Sequence, residues 1–211
     1  AYAIWAIPED TKEATSHDIE QLAKMLDMPI SEMQRRLSKE DKNFVYLKRQ
    51  VSVDLSAKIK SLKIPGIHQQ EEMRRSYPEG DMTAHIVGFT NIEDHGIEGV
   101  ELAFDSELSG QPGSRRVIKD RLGRVVEDVT AVVPPVNGQD LSLSIDAGLQ
   151  FDLYAALKKA REEHNAKAAA GIVVDVNTGE ILALANLPTY DPNDRDDRKG
   201  ASLRNRALTD T

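Results

Sequence analysis

A serine with a lysine three positions later shares a proton with it across one helical turn, and this makes the hydroxyl a nucleophile. Ser56, Ser61, Ser76, Ser114 and Ser202 lack that lysine, as does every other serine, and G-x-S-x-G is absent. The five histidines, His17, His68, His85, His95 and His164, form neither H-E-x-x-H nor an i, i+4 pair. His95 and Glu98 make an H-x-x-E, which a di-metal helix could use. Gly96 and Gly99 break that helix, which leaves a solvated loop histidine. Gly96, Gly99, Gly110 and Gly113 could form a phosphate cradle, but G-x-G-x-x-G and G-K-[ST] are missing and Glu98 and Glu101 would repel phosphate. The reading that remains is glycines serving close backbone packing. Glu98, Glu101 and Asp105 are of the type used in glycoside hydrolysis. With 35 acidic residues in 211, such spacing selects nothing by itself, and a surface or domain-junction role is the reading. The mixed-sign run from Arg195 to Lys199 reads as a solvated loop. The residues alone assign no catalytic group, no cofactor and no metal.

Composition narrows the class. The absence of cysteine excludes disulfide frameworks, thiolate catalysis and cysteine zinc sites, and leaves the redox compartment open. The balance of 27 basic against 35 acidic side chains, a net charge of −8, argues against a nucleic-acid partner, since no basic surplus exists to displace phosphate counterions. Forty per cent hydrophobic and 29% charged is globular composition. The longest apolar runs, residues 1–7 and 168–174, are too short to span a bilayer, and no basic segment precedes Ala1 as in a signal peptide. The chain begins without Met and stops in mid-pattern, as a trimmed piece would.

The elements that would position these residues follow from periodicity. Residues 1–8 read as a strand. Ser16 is expected to cap a helix striped by Ile19, Leu22, Ala23 and Leu26. Ser31 and Gln34 read as a capping box ahead of Met33 and Leu37, residues 44–47 as a strand, and Ser52 as the cap of a helix carrying Leu55, Ile59 and Leu62, ended by Pro65-Gly66. Residues 67–91 are extended and broken by Pro78 and Gly80. Residues 114–129 read as a hairpin turning at Leu122-Gly123, and Pro134-Pro135 with Asn137-Gly138 as a linker. Beyond it come a strand over 141–145, a long helix capped by Asp146 with Leu149, Leu153, Ala156, Leu157 and Ala160 on one face, and a hairpin of 171–176 with 180–185. The first strand of that hairpin, apolar on both faces, is expected inside a sheet. Residues 202–211 could start a further helix. One helix and one hairpin cannot bury a core, so residues 137 onward read as the opening of a larger domain.

Several blocks resemble one family. Arg74-Arg75-Ser76-Tyr77-Pro78-Glu79-Gly80 with Thr83-Ala84-His85-Ile86-Val87-Gly88-Phe89-Thr90 is similar to the second conserved stretch of class B penicillin-binding proteins. Gly96-Ile97-Glu98-Gly99-Val100-Glu101, Phe104-Asp105 and Leu108-Ser109-Gly110-Gln111-Pro112-Gly113 are similar to the third. Lys119-Asp120-Arg121 with Gly123-Arg124-Val125, Leu143-Ser144-Ile145-Asp146 with Leu149-Gln150, and the run from Val174 to Ala183 continue the likeness. Arg204-Asn205-Arg206 with Thr209-Asp210 resembles the lead-in to the family's catalytic serine motif. The blocks keep the family's order, and they resemble its division-specific, FtsI-like group in Gram-negative bacteria.

The resemblance implies an α+β chain: a multi-part pedestal (dimerisation-type) module over residues 1–136, then the first helix and β-hairpin of a transpeptidase (β-lactamase-like) domain over 137–211. It implies a septal peptidoglycan D,D-transpeptidase that works through a serine acyl-enzyme and is acylated by β-lactams. Its S-x-x-K would lie just beyond Thr211, so no catalytic residue falls in this chain, and no cofactor or metal is implied. The implied partners are peptidoglycan stem peptides, β-lactams and divisome membrane proteins including an FtsW-type glycosyltransferase. The implied location is the periplasm, with an inner-membrane anchor upstream of Ala1. Arg75, Gly80, Gly96, Glu98, Gly99, Glu101, Gly110 and Gly113 are expected at the pedestal–transpeptidase junction, the glycines fixing backbone and the charged residues making contacts. A non-enzymatic divisome-binding module, or a class B protein acting in elongation, are alternatives. A penicillin-sensing receptor also uses S-x-x-K, but the Arg75–Gly80 and Gly96–Glu101 blocks point to a synthase pedestal.

Overall fold

A computed structural model describes residues 1–38, 44–119 and 125–210. The backbone separates into two compact units, Ala1–Arg74 with Ser114–Val132, and Arg75–Gly113 with Val133–Thr211.

The first unit is built on a three-stranded antiparallel sheet. Its centre is β1 (Tyr2–Ala6), flanked by β2 (Val45–Val51) and β3 (Ile67–Glu71) in the order β2-β1-β3. Helices α1 (Ser16–Met25), α2 (Ile30–Leu37) and α3 (Val53–Ser61) supply the other half of the core. Leu22, Leu26, Met33, Leu47 and Ile59 close over Ile4. The α1 stripe buries as its 3.6-residue period requires, although the cap is one residue earlier than expected. Thr15 accepts from the Asp18 N–H while Asp18 accepts from the Thr15 N–H, a reciprocal capping box with Ser16 inside the helix. The box expected at Ser31 does not form. Pro29 stands at that N-cap, so Ser31 falls in the first turn and no side chain caps the helix. Ser52 caps α3 as expected, accepting from Leu55 N–H. Strands β4 (Ser114–Lys119) and β5 (Val125–Val133) form a separate two-stranded sheet. The expected Leu122-Gly123 turn between them lies outside the described residues.

In the second unit the stretch expected to be extended instead contains helical turns: a 3-10 turn at Gly80–Met82 and α4 (Ala84–Val87). Then come α5 (Gly99–Ala103), α6 (Asp105–Leu108) and the long α7 (Ala147–Glu163), capped by Asp146 accepting from Leu149 N–H. β6 (Ala169–Val174) and β7 (Ile181–Leu187) pair antiparallel, followed by a 3-10 turn at Gly200–Leu203 and α8 (Arg206–Thr209). Two expectations are corrected. Residues 141–145 form no strand. They approach β7 through the Asp146 N–H to Leu182 O bond and the Ser144 hydroxyl on Ile181 O, which do not make a ladder. Among the described residues β6 pairs only with β7, so it is not interior. Its residues alternate half-buried and exposed, and the buried strand is β7.

The free edge of β7 is finished by a side chain. Gln150, on α7 and fully buried, accepts from Leu184 N–H at 2.9 Å and donates to Leu184 O at 2.9 Å and to Met82 O at 2.7 Å. Its amide stands where a neighbouring strand would supply a peptide group. Replacing it by a leucine of similar volume would orphan buried backbone groups at about 1–3 kcal/mol each. Gln150→Leu should therefore lower the unfolding free energy of the second unit by about 3 kcal/mol, read from urea unfolding by circular dichroism. A loss under about 1 kcal/mol would mean that the edge finds other partners.

Candidate functional site

The second unit is organised around residues 77–90, which side chains from later in the chain grip at successive points. Asn193 brackets Tyr77, accepting from its N–H at 3.0 Å and donating to its carbonyl at 2.9 Å. The Tyr77 hydroxyl accepts from Thr90 N–H at 3.0 Å. Asp81 receives the Tyr154 hydroxyl on its carboxylate at 2.5 Å and the Thr189 hydroxyl on its carbonyl at 2.8 Å. Tyr190 donates to Ala84 O at 2.9 Å, with its ring edge-on to His85 and Phe89. Arg198 donates to Thr90 O and lies over the Phe89 ring, 4.7 Å from its centroid. Burial raises the Tyr190 phenol pKa, and burial followed by the Asp81 carboxylate raises that of Tyr154, so both hydroxyls stay protonated as the donors these bonds need.

The expected junction residues divide into groups. Arg75 and Glu101 come together: the guanidinium Nε lies 3.0 Å from the carboxylate, with Glu101 buried and Arg75 half-exposed. They line a cleft of about 600 Å³ with Tyr77, Leu108, Gly138 and Asp140. Glu98 stands at the N-cap of α5, but its side chain caps nothing. The Gly96 N–H donates to Asp105 at 2.7 Å, and this bond, with Ser109 and His95 assisting, holds the Asp105 carboxyl below its ordinary range. Asp105 is thus a loop brace, and the Glu98, Glu101 and Asp105 carboxylates have three different surroundings instead of a shared one. Gly110 and Gly113 pack against residues 133–138, where Gln111 and Val136 exchange backbone hydrogen bonds at 2.8 and 2.9 Å. The expected linker is therefore docked at Val136. Gly80 sits on an open turn away from these contacts.

Several serine hydroxyls bond to carbonyls and carboxylates, as Ser109 to Asp105, Ser144 to Ile181 O and Ser202 to Lys199 O. Among the described residues no three metal-ligating side chains cluster, and no helix is long and apolar enough to cross a membrane. The arrangement does positioning work. Sequence reasoning missed Gln150, Tyr190, Asn193 and Arg198, which grip residues 77–90, and the buried Asn186 on β7. An amide within an apolar run, as with Gln150 beside Leu149 and Phe151 or Asn186 between Ala185 and Leu187, is the signal that could have found two of them.

Gly99 and Gly80 both have positive φ, +61° and +52°, but only at Gly99 would a Cβ meet backbone, 2.6 Å from Ile86 O. Gly80→Ala should cost about 1 kcal/mol for the left-handed backbone alone. Gly99→Ala adds a clash that cannot relax without moving α4 from α5, and should cost upwards of about 3 kcal/mol. Equal urea midpoints for the two variants would contradict this contact.

Known proteins resemble this chain along nearly its whole length. Residues 1–143 match the penicillin-binding protein dimerisation domain, and residues 169–211 match the penicillin-binding protein transpeptidase domain. The chain is 45% identical over 213 aligned residues to the peptidoglycan D,D-transpeptidase FtsI of Escherichia coli K12, covering 99% of this chain and 36% of that protein. It is 38% identical over 211 residues to the "Probable peptidoglycan D,D-transpeptidase PenA" of Neisseria gonorrhoeae, again covering 99% and 36%. The chain thus spans little more than a third of the length of these relatives. The crystal structure of penicillin-binding protein 2X from Streptococcus thermophilus shares the fold, with a TM-score of 0.58 at 22% identity over 97% of this chain and 34% of that one. With a family model covering its first 143 residues and a second beginning at Ala169, the chain belongs to the class B penicillin-binding proteins.

Proposed function

We propose that this chain is part of a septal peptidoglycan D,D-transpeptidase, with residues 1–136 in its pedestal and 137–211 opening its catalytic domain. The observation that carries the reading is the succession of the two family matches along one chain, together with 45% identity to a protein named as such a transpeptidase. In the reaction, a serine beyond Thr211 attacks the carbonyl of the D-Ala-D-Ala bond in a stem peptide. The C–N bond breaks, the terminal D-Ala leaves with a proton, and an ester to the enzyme remains. An amine from a neighbouring stem peptide then takes the acyl group, closing the cross-link, and the serine recovers its proton. Backbone N–H groups hold the oxyanion at both steps. The β-lactam ring presents the same carbonyl to the serine and leaves it acylated. The working protein is periplasmic, anchored in the inner membrane upstream of Ala1, and acts with divisome membrane proteins including an FtsW-type glycosyltransferase.

The contribution of this chain is support. Arg75, Gly80, Gly96, Glu98, Gly99, Glu101, Gly110 and Gly113 hold the junction between pedestal and catalytic domain. What supports this is that residues 75–113, inside the dimerisation match, share a compact unit with the whole transpeptidase match.

Two measurements test the reading. Intact-mass spectrometry after incubation with benzylpenicillin should find an adduct on the full-length protein and none on residues 1–211. An adduct on the short chain would put a nucleophile where none was assigned, and a folded full-length protein without one would favour a non-enzymatic divisome-binding module. In cells, Glu98→Ala in the full-length protein should uncouple the modules, giving filaments with weakened septal synthesis. Normal division together with normal β-lactam labelling would remove Glu98 from the junction.

A further inference from the structure

The grip on residues 77–90 has a counterpart that acts in the opposite direction. His85 is 8% exposed and carries its hydrogen on Nε2, because the atom it meets at 2.8 Å is the Ser202 carbonyl oxygen, which can only accept. Burial, with Arg206 nearby, lowers its pKa against the opposing effect of that carbonyl, keeping the ring neutral. Asn186 on β7 is 1% exposed; it donates to Asn205 Oδ1 at 2.9 Å and accepts from Ala207 N–H at 2.7 Å. Asn205 in turn reaches back to the His85 carbonyl at 3.5 Å. The stretch from Ser202 to Ala207 is thus held from two sides by buried polar groups. It needs this, because α8 is a single turn whose N-cap side chain makes no capping bond. The direction in which the chain leaves α8 is set by its neighbours.

The geometry points to His85 and Asn186 as positioning residues for the serine that follows α8. Their part is to fix the backbone that delivers it, through the bonds to residues 202–207. The inference rests on the transpeptidase reading above, in which the serine motif lies a few residues beyond Thr211. A nucleophile displaced by about 1 Å reacts on the order of 100-fold more slowly, so small changes in this clamp should appear in acylation before they appear in folding.

The test uses the full-length protein and the second-order rate of acylation by a fluorescent penicillin. His85→Phe keeps an aromatic ring against Tyr190 but removes the donor, and should slow acylation about tenfold while thermal unfolding stays cooperative. His85→Gln returns an N–H donor near the Nε2 position and should recover most of the rate, which a purely space-filling role for the ring would not produce. Asn205→Ala, at a half-buried position, removes the Asn186 partner and should slow acylation several-fold, in keeping with loss of positioning. An unchanged rate in His85→Phe, or a Gln variant no better than the Phe variant, overturns the proposal. If His85→Phe fails to fold, an unchanged rate in Asn205→Ala overturns it instead. If the unmodified full-length protein takes no penicillin, the transpeptidase reading has failed, a result distinct from any difference among variants.

Discussion

A carboxamide buried without exposure has to find partners for both of its ends, and Gln150 finds them in backbone. One side chain thereby ties α7 to β7 through Leu184 and to the Gly80–Met82 turn through Met82. The strand edge that β7 turns away from β6 would otherwise present unpaired peptide groups inside the unit, where each costs more than a solvated one. Because the amide is planar and carries both a donor and an acceptor, it stands in for a peptide of a neighbouring strand. The positions of α7 and of the 80–82 turn relative to β7 both follow from its being satisfied.

The same solution recurs along the second unit. Asn193 treats Tyr77 as a strand would, bonding to both its N–H and its carbonyl, while Asn186 holds the turn that begins α8 by accepting from Ala207 N–H and donating to the Asn205 side-chain oxygen. Tyr190 and Arg198 add ring contacts to their hydrogen bonds on residues 84–90. Short helical turns such as α4, α5, α6 and α8 have too few internal bonds to hold themselves. Their order comes from side chains far away in sequence, and from glycines that let backbones approach. In the first unit the helices bury an apolar stripe against a three-stranded sheet, and side-chain bonds to backbone, such as Arg36 to Leu47 O and Gln69 to Ser56 O, add to that packing.

This division explains why the dimerisation match and the compact units do not share a boundary. Residues 75–113 are covered by the dimerisation match, yet they pack with residues 133–211. The packing runs through side chains bonded to backbone over sequence separations above one hundred residues, as from Asn193 to the Tyr77 N–H or from His85 to the Ser202 carbonyl.

What the residues determined by themselves was local. The α1 stripe, the Ser52 and Asp146 caps, the long α7 and the β6–β7 hairpin are all set by near-neighbour periodicity and capping, and family membership was legible in the ordered blocks of motif. Charged contacts were expected of Arg75 and Glu101, but that the two pair with each other came from the fold. The Ser31 capping box failed because Pro29 held the position ahead of it, and the strand expected over 141–145 failed because apolar alternation states a preference for extension without supplying an edge to pair with. Which amide would face which backbone group was decided by tertiary structure alone. A buried hydrogen bond depends on two groups meeting across the fold, and their spacing in sequence carries no trace of that meeting. The clamp of His85 and Asn186 on residues 202–207 belongs to this second kind, since nothing in the sequence marks either residue as a partner of that stretch.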